Sequence, residues 1–402
     1  MLNASENRIT HLVGKSYRER SVRPLVPYDG LVCEFLNSLS SSLLTDKMAK
    51  AYPDVISFAY WCRKANIARL KQEHAEIHTR LGLGMVFHVA PSNVPINFAF
   101  SYVFSLLAGN ANIVRVPTKD FPQTRVVCNV INQLFEAEKY KSIADMTNFI
   151  QYYQDDEITG IFSSKCNARI IWGGNHAINS IRKLTIPERS IEVTFADRYS
   201  FCAIDANSVL QADNATLNRL AVSFYNDTYF MDQNACSSPN LIVWLGEKDV
   251  LANAKERFWH SVYEVTASKY ELQPVNAVDK YMLFCENAIE LKKITSFKKH
   301  GNYLFRIELA RLPDNMDSFR GKYGYFYEYN AQNMNSIAHI INTKYQTLTY
   351  FGLKKAQLLD FVVKNRLLGI DRIVPIGSAL DIGAIWDGYD IVRSLSRIID
   401  IK

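Results

Sequence analysis

Apolar strands alternate with helices through the middle of the chain, and this alternation limits the fold more than any other feature. Strand, helix, strand, helix, strand and helix are predicted in turn over residues 85–90, 98–108, 112–116, 123–138, 168–172 and 175–183. Strands joined through helices run parallel in one sheet. The sequence therefore predicts an α/β fold with a parallel sheet.

The flanking regions extend this prediction. Upstream, residues 31–44 and 55–81 carry apolar residues at helical spacing and predict helices. Further strands and helices follow downstream, among them a predicted helix over 332–341. The 402 residues are enough for two or three domains. We place the boundary near Arg198, which gives domains of residues 1–198 and 199–402.

Charge and composition narrow the class of protein. Hydrophobic residues make up 48% of the chain and charged residues 21%, as in ordinary globular proteins. The net charge of +6 is spread along the chain without a basic tail, which argues against nucleic acid as a partner. The uninterrupted apolar stretch 98–108 is too short to cross a bilayer. The N-terminus lacks the layout of a secretory signal, so we expect a cytoplasmic protein without a membrane span.

Cys236 lies within residues 234–239, after a polar turn and before an apolar strand, 241–244. A thiol at such a boundary is presented to solvent, and we predict a nucleophilic thiolate whose pKa is lowered by its surroundings. The alternative is a small buried apolar residue. Seven cysteines without a Cys-x-x-Cys pair argue for reduced thiols. Six of them lie in apolar or helical runs and are interpreted as structural: Cys33, Cys62, Cys128, Cys166, Cys202 and Cys285.

Asn93 lies between two prolines, Pro91 and Pro95, just ahead of the predicted helix 98–108. The prolines fix the local backbone, so the side-chain amide could donate to a developing oxyanion. The alternative is an asparagine that caps the helix. Together with Cys236 it supplies the two parts that acyl chemistry on sulfur needs.

Two groups of residues follow predicted strands where α/β sheets bind ligands. Gly173 and Gly174 come between a strand and a helix, as in a phosphate-binding turn, although tight turns also use such pairs. Arg115 ends a strand, and Thr118 and Lys119 follow in the loop, where they could hold a ribose or its 2′-phosphate. The alternative is a solvated strand end.

His74 and His78 are four residues apart in the predicted helix 55–81, a spacing that can bind zinc. The order His-Glu-x-x-His and a third ligand are both missing from the surrounding sequence. We therefore interpret the pair as part of a charged, exposed helix face and predict no metal site.

These segments together resemble the aldehyde dehydrogenase superfamily. Its Pro-Trp-Asn-Phe-Pro, Ala-Gly-Asn and Lys-Pro-Ser stretches and its catalytic-cysteine motif are similar to residues 91–95, 107–110, 114–117 and 233–239. The ending is similar to the C-terminal signature of one branch, the LuxC-type fatty acyl-CoA reductases, at residues 369–377 and 386–390. The resemblance covers roughly residues 80 to 395.

The resemblance implies an aldehyde-dehydrogenase-like fold with the active site in the cleft between two domains. Residues 1–198 would hold the N-terminal helices and the nicotinamide-cofactor-binding domain, and 199–402 the α/β catalytic domain with the C-terminal segment. By position, Cys236 would be the nucleophile and Asn93 an oxyanion donor. Arg115 falls where the superfamily has a lysine at the adenosine ribose.

Gly173 and Gly174 fall in the superfamily's phosphate turn. One departure concerns the general base. Oxidising members carry a glutamate that activates water, and Phe195 takes its place here, with Glu192 out of register. Losing a general base slows hydrolysis by roughly 10²–10⁴-fold, whereas reduction by hydride needs no such base. The sequence therefore favours reduction of an acyl thioester to an aldehyde.

We expect NADPH as the reductant, because the resemblance suggests it and Arg115 and Lys119 suit an extra phosphate, with NADH as the alternative. Coenzyme A would be the leaving group, and acyl-CoA or a carrier-bound acyl group the substrate. The resemblance also implies an acyl-protein synthetase partner and a homo-oligomer. Two other functions stay open: a short-chain CoA-acylating aldehyde dehydrogenase, and a non-reducing acyl-transfer subunit of a complex.

Overall fold

The computed structural model describes residues 6–14, 23–74 and 77–402. The chain divides into two compact units, Met1–Ala196 with Tyr389–Lys402, and Asp197–Gly388. The C-terminal segment Tyr389–Lys402 therefore belongs to the first unit, whereas the domain boundary predicted from the sequence placed it in the second. The reason is that strand Ser396–Ile398 pairs with strand Arg80–Gly82.

The strands of the described residues are, in chain order, β1 (Thr10–Val13), β2 (Arg80–Gly82), β3 (Met85–Val89), β4 (Ala111–Arg115), β5 (Thr147–Gln151), β6 (Ala168–Trp172), β7 (Ile191–Phe195), β8 (Tyr199–Asp205), β9 (Pro239–Leu245), β10 (Ile294–His300), β11 (Leu304–Leu309), β12 (Tyr325–Ala331), β13 (Tyr345–Phe351), β14 (Arg372–Pro375), β15 (Ile385–Trp386), β16 (Tyr389–Asp390) and β17 (Ser396–Ile398). The α-helices are α1 (Gly30–Thr45), α2 (Pro53–Trp61), α3 (Lys64–Gln72), α4 (Asn97–Leu107), α5 (Pro122–Phe135), α6 (Lys141–Asp145), α7 (Asp156–Ser163), α8 (Asn175–Arg182), α9 (Ala206–Gln211), α10 (Asn214–Thr228), α11 (Lys248–Lys269), α12 (Pro274–Glu290), α13 (Lys355–Lys364) and α14 (Ile391–Ser394).

The first unit is built on a sheet with the strand order β1-β5-β4-β3-β6-β7. Strands β3 to β7 are parallel, and β1 joins the edge antiparallel to β5. The predicted parallel α/β fold is confirmed. The strand order changes direction between β3 and β6, and such a switch point is where open α/β sheets bind ligands, at the carboxyl ends of the strands.

The interior of this sheet explains its sequence. Every residue of β3 is buried, which is why the strand is continuously apolar except for His88. Burial lowers the pKa of His88 to about 4, so the ring is neutral at pH 7. Its two ring nitrogens lie 2.8 Å from Ser101 Oγ and 3.0 Å from Asn112 Oδ1. A buried imidazole with both nitrogens paired is a core residue that costs little to bury.

The second unit contains a sheet with the order β10-β11-β12-β9-β8-β13-β14. Only the β10–β11 pair is antiparallel among the described strand pairs of this sheet. Helices α10 and α11 cover one face, where Phe224, Phe258 and Trp259 stack edge to face at 5.0–5.5 Å. Tyr199 and Tyr345 pack on the other face, with ring centroids 5.2 Å apart.

Some predicted helices differ from the structure. The predicted helix 55–81 is wrong, because the chain forms α2 and α3, then a 3₁₀ turn over Ile77–Thr79 and strand β2. The predicted helix 332–341 is a 3₁₀ helix, Met334–Ile340. Within the residues that the structure describes, each helix falls short of the length or apolarity that crossing a membrane requires.

Candidate active site

Cys236 lies in the segment between α10 and β9, residues 229–238, which we call the Cys236 loop. Two consecutive non-glycine residues of this loop, Asp232 and Gln233, adopt left-handed backbone angles with φ of 53° and 61°. Each such residue costs on the order of 1–3 kcal/mol and persists only where its surroundings fix it. The loop is therefore held by other contacts.

The buried side chain of Gln233 provides most of these contacts. Its Oε1 accepts hydrogen bonds from the backbone N–H groups of Gly324 and Tyr325, both at 3.1 Å. Its Nε2 donates to the carbonyl oxygens of Pro239 and Tyr325, at 3.2 and 2.9 Å. All four bonding positions of the amide are used. Gln233 thus connects the Cys236 loop and the first residue of β9 to the start of β12.

Serine hydroxyls fix the other side of the loop. Ser200 Oγ, on β8, donates to the carbonyl oxygen of Cys236 at 2.7 Å and accepts from the N–H of Thr347 at 3.1 Å. Ser238 Oγ donates to the carbonyl oxygen of Asp227 at the end of α10, at 2.7 Å. The backbone of Cys236 is therefore held between β8, α10 and β12, which pre-positions its side chain.

Cys236 is placed at the amino edge of the second sheet, where β9 begins. The neighbouring strands β8 and β12 are parallel to β9, so the residues just before each of them meet at the same edge. Asp197 and Arg198 precede β8, and Arg320 precedes β12. Arg320 Nη2 lies 3.0 Å from Asp197 Oδ1, and the guanidinium of Arg198 pairs with Asp371.

Burial raises the pKa of the Cys236 thiol, although part of the residue stays accessible to solvent. The positive charge of Arg320 and a hydrogen bond from the backbone N–H of Arg198 oppose this rise, whereas Asp197 and Asp387 add to it. The expected lowering of the pKa is therefore wrong, because desolvation outweighs the favourable charge in the protein alone.

The other six cysteines differ in how far they are buried. Cys62, Cys128, Cys166 and Cys202 are buried, as expected of structural residues, and Cys33 is half-buried. Cys285 on α12 is exposed, which the structural interpretation did not anticipate.

Asn93 follows β3 at the carboxyl edge of the first sheet and is exposed to solvent. Helix α4 begins at Asn97, its N-cap residue is Ile96, and no side chain caps it. The alternative interpretation of Asn93 as the helix cap is therefore wrong. The exposed amide is available to a ligand at this edge.

Arg115, the last residue of β4, lies at the same edge, and Thr118 and Lys119 lie in the segment after the strand. The Arg115 guanidinium stacks over the Tyr152 ring at 4.5 Å, while Thr118 is exposed. Lys119 Nζ lies 5.0 Å from the centre of the Phe121 ring. Strand β4 pairs with β3 in parallel, so both strands end at the same edge of the sheet. Arg115, Thr118 and Lys119 therefore lie at the edge that also carries Asn93.

Gly173 and Gly174 follow β6 at this edge. The N–H of Gly173 donates to the carbonyl oxygen of Phe195 at 3.2 Å, which fixes the turn. Gly174 is the exposed N-cap of α8, no side chain caps the helix, and a Cβ there would meet no atom within 4 Å. An open helix N-terminus with room in front of it suits a phosphate. Arg115 and Lys119 lie at the same edge on the other side of β3, so this edge carries two cationic side chains and an open helix N-terminus.

Phe195, which the resemblance places where other proteins carry a general base, belongs to an aromatic stack. The Phe195 ring lies 3.7 Å from that of Trp172, at an interplanar angle of 17°. Glu192 is held by two arginines, with Arg169 Nη2 at 2.5 Å and Arg182 Nε at 2.7 Å. Neither Phe195 nor the paired Glu192 can serve as a free base for water.

His74 and His78 lie in different local structures. Helix α3 ends before both, His74 is buried, and its Nε2 lies 3.2 Å from Asp390 Oδ1. His78 is exposed in the 3₁₀ turn. The two histidines therefore do not lie on one helix face. The prediction that His74 is exposed is wrong, because its side chain is buried.

Sequence reasoning missed Arg320 and Asp197. Ligands of α/β sheets usually bind at the carboxyl ends of the strands, whereas these two residues lie at the amino ends. The available signal was their position in the segments that lead into β8 and β12, the strands that flank β9.

Comparisons with known proteins agree with this architecture. The sequence model of the family described as acyl-CoA reductase (LuxC) matches residues 9–319. Comparison with curated proteins gives no significant match. Among solved structures, a salicylaldehyde dehydrogenase from Pseudomonas putida G7 is similar with a TM-score of 0.63 and 13% identity, over 92% of this chain and 84% of that one.

Two further solved structures are similar over comparable lengths. Aldehyde dehydrogenase 21 from Physcomitrella patens has a TM-score of 0.63 and 11% identity, over 91% of this chain and 84% of that one. A NAD-dependent benzaldehyde dehydrogenase from Corynebacterium glutamicum has a TM-score of 0.59 and 12% identity, over 92% and 84%. The aldehyde-dehydrogenase-like fold expected from the sequence is confirmed.

Proposed function

Since the chain belongs to the acyl-CoA reductase (LuxC) family, and so to the oxidoreductases that act on acyl or aldehyde groups, we propose a specific reaction for it. An acyl thioester is reduced to an aldehyde through an acyl-cysteine on Cys236, with NADPH as the reductant. The observation that supports this most directly is the Cys236 loop, which holds one partly accessible thiol in place at the sheet edge that also carries the Arg320–Asp197 ion pair.

The chemistry on the protein begins when the partly accessible Cys236 thiol loses its proton to solvent water. The thiolate attacks the thioester carbonyl carbon, a carbon–sulfur bond forms, and the carbonyl oxygen becomes an oxyanion. The Asn93 amide and the backbone N–H of Cys236 donate to this oxygen. When the oxyanion collapses, coenzyme A or the carrier leaves as a thiolate, and the acyl group stays on Cys236.

The first unit is proposed to hold the cofactor. Gly173 and Gly174 would receive the pyrophosphate at the start of α8, and Arg115 and Thr118 the ribose. Lys119, with Arg115, would favour a 2′-phosphate, which is the basis for NADPH over NADH. A bound reduced nicotinamide supplies the hydride that releases the aldehyde.

Reduction is proposed over hydrolysis because of the stack at Phe195. A free carboxylate at that position would activate water against the acyl-cysteine. The Phe195–Trp172 stack offers no proton acceptor, and Glu192 is engaged by two arginines. An acyl-cysteine formed here would persist until hydride arrives.

The experiment that tests this function offers labelled acetyl-CoA or a long-chain acyl-CoA with NADPH or NADH. We expect aldehyde in a one-to-one ratio with NADPH oxidised, faster with the long chain. Preference for acetyl-CoA would instead indicate the short-chain CoA-acylating enzyme. Label bound to protein without NADPH oxidation at any chain length would indicate an acyl-transfer subunit. Adding an acyl-protein synthetase with a carrier-bound acyl group tests whether such a partner delivers the substrate.

Asn93→Ala should slow acylation of Cys236 by about 10²–10³-fold, the usual cost of removing one oxyanion-hole donor. The matched control is Ser92→Ala, a neighbouring exposed residue that we expect to leave the rate unchanged. Rapid-quench measurement of protein-bound acyl label gives the rate. Equal rates for Asn93→Ala and the control would remove Asn93 from the proposed mechanism.

A further inference from the structure

Arg320 and Asp197 form an ion pair across the amino end of β9. Arg320 lies in the segment that leads into β12, and Asp197 in the segment that leads into β8. Both strands flank β9 in the sheet, so a bond between these segments crosses the edge where Cys236 is placed. The 3.0 Å ion pair is partly exposed, with 31% and 45% of the two side chains accessible.

The position of Arg320 is fixed by the same side chains that hold the Cys236 loop. The residue before it, Phe319, is buried in the core. The N–H of the residue after it, Gly321, donates to Asn240 Oδ1 at 2.9 Å. A Cβ on Gly321 would clash with the carbonyl oxygen of Tyr325 and lie 3.2 Å from Gln233 Nε2. Asn240 Nδ2 also donates to the carbonyl oxygen of Ser238 at 3.1 Å, so the Asn240 side chain links the Arg320 segment to the Cys236 loop.

The charges around Cys236 act in opposite directions. Among the described residues, Arg320 favours the thiolate, whereas Asp197 and Asp387 disfavour it. Arg198 contributes its backbone N–H, and its guanidinium is paired with Asp371. Asp387 is itself buried and bonded to Gln346 Nε2, which keeps it in place. Arg320 is therefore the side-chain cation that opposes the rise of the thiol pKa caused by desolvation.

We propose that Arg320 and Asp197 set the reactivity of Cys236, with Arg320 stabilising negative charge on the sulfur and Asp197 restraining that effect. Both are positioning residues, since neither is assigned a contact with substrate. This inference rests on the proposed role of Cys236 as the nucleophile, and it adds the groups that determine how much of the thiol is ionised.

The test is the pH dependence of Cys236 alkylation by iodoacetamide, measured on the full chain by peptide mass spectrometry. Arg320→Gln should move the midpoint of the profile up by about 0.5–1 pH unit, and Asp197→Asn should move it down by a similar amount, since exposure weakens both charges. Arg320→Lys keeps the charge and should restore most of the wild-type profile.

Two controls separate this effect from a structural one. Lys322→Gln removes an exposed positive charge two residues from Arg320 and should leave the midpoint unchanged. The exposed Cys285 is an internal reference in every sample, and its alkylation should be the same in all variants.

Shifts of the same sign in Arg320→Gln and Asp197→Asn, or shifts no larger than that of Lys322→Gln, would overturn the proposal. The readout needs no substrate, so it is independent of the proposed function. Opposite shifts in a protein that makes no aldehyde would support the charge pair while rejecting the reductase assignment.

Discussion

Cys236→Ala should abolish aldehyde formation, with a loss of about 10⁴-fold or more in turnover, as when other enzymes lose a catalytic nucleophile. The variant should also fail to retain a labelled acyl group, because the acyl-cysteine can no longer form. Aldehyde release from long-chain acyl-CoA and NADPH gives the first quantity, and acid-stable protein-bound label gives the second.

The fold should survive this substitution. The loop is held through the Gln233 side chain and through the backbone carbonyl of Cys236, and neither needs the thiol. A matched control is Cys285→Ala, which removes an exposed thiol from α12 and should keep full activity. Aldehyde formation by Cys236→Ala at the wild-type rate would eliminate the nucleophile and, with it, the acyl-cysteine route.

The parts of this fold that local sequence determines were predictable. The predicted strand 168–172 coincides with β6, and the apolar helix 98–108 differs from α4 by one residue at each end. Both are bounded by residues that stop an element, such as the Gly173 turn. By contrast, helical spacing continues through 55–81, and only the pairing of β2 with the distant β17 turns its last residues into a strand.

The sequence indicates residue types for the candidate site, and these stay predictions, but it does not indicate the electrostatics around Cys236. Cys236 could be selected because a thiol before an apolar strand is visible in sequence. The raised pKa of this thiol depends on desolvation and on Arg320 and Asp197, which are brought near by the order of strands in the sheet. Parallel pairing of β8, β9 and β12 is non-local information, so no spacing along the chain encodes it.

Glu328→Gln should destabilise the protein by about 3–5 kcal/mol, because it breaks an ion pair that is buried on both sides. Glu328 Oε2 accepts from Arg306 Nε at 3.0 Å, and 2% of each side chain is exposed. Glu328 Oε1 also accepts from the indole N–H groups of Trp244 and Trp259, both at 2.7 Å. Glutamine keeps an oxygen for the two indoles but turns an N–H₂ group toward the guanidinium.

The loss of stability comes from the buried charge of Arg306, whose closest partner is the Glu328 carboxylate. Arg306 retains a contact with Glu256, 3.1 Å away, whose carboxylate is exposed and compensates poorly for a missing buried anion. Urea unfolding followed by tryptophan fluorescence measures the change, and the two indoles at the pair report on it directly. The control is Asp360→Asn, which breaks the exposed pair with Lys364 and should cost less than about 0.5 kcal/mol.

A second variant distinguishes a buried charge from a general loss of packing. Replacing both partners, as Glu328→Gln with Arg306→Met, removes the uncompensated charge and should recover part of the lost stability. If the double variant were less stable than Glu328→Gln alone, the unpaired charge would not be the cause. Because Glu328 lies on β12, whose first residue is bound by Gln233, a destabilised strand should also loosen the Cys236 loop. Faster iodoacetamide labelling of Cys236 in Glu328→Gln than in Asp360→Asn is the expected sign of that coupling.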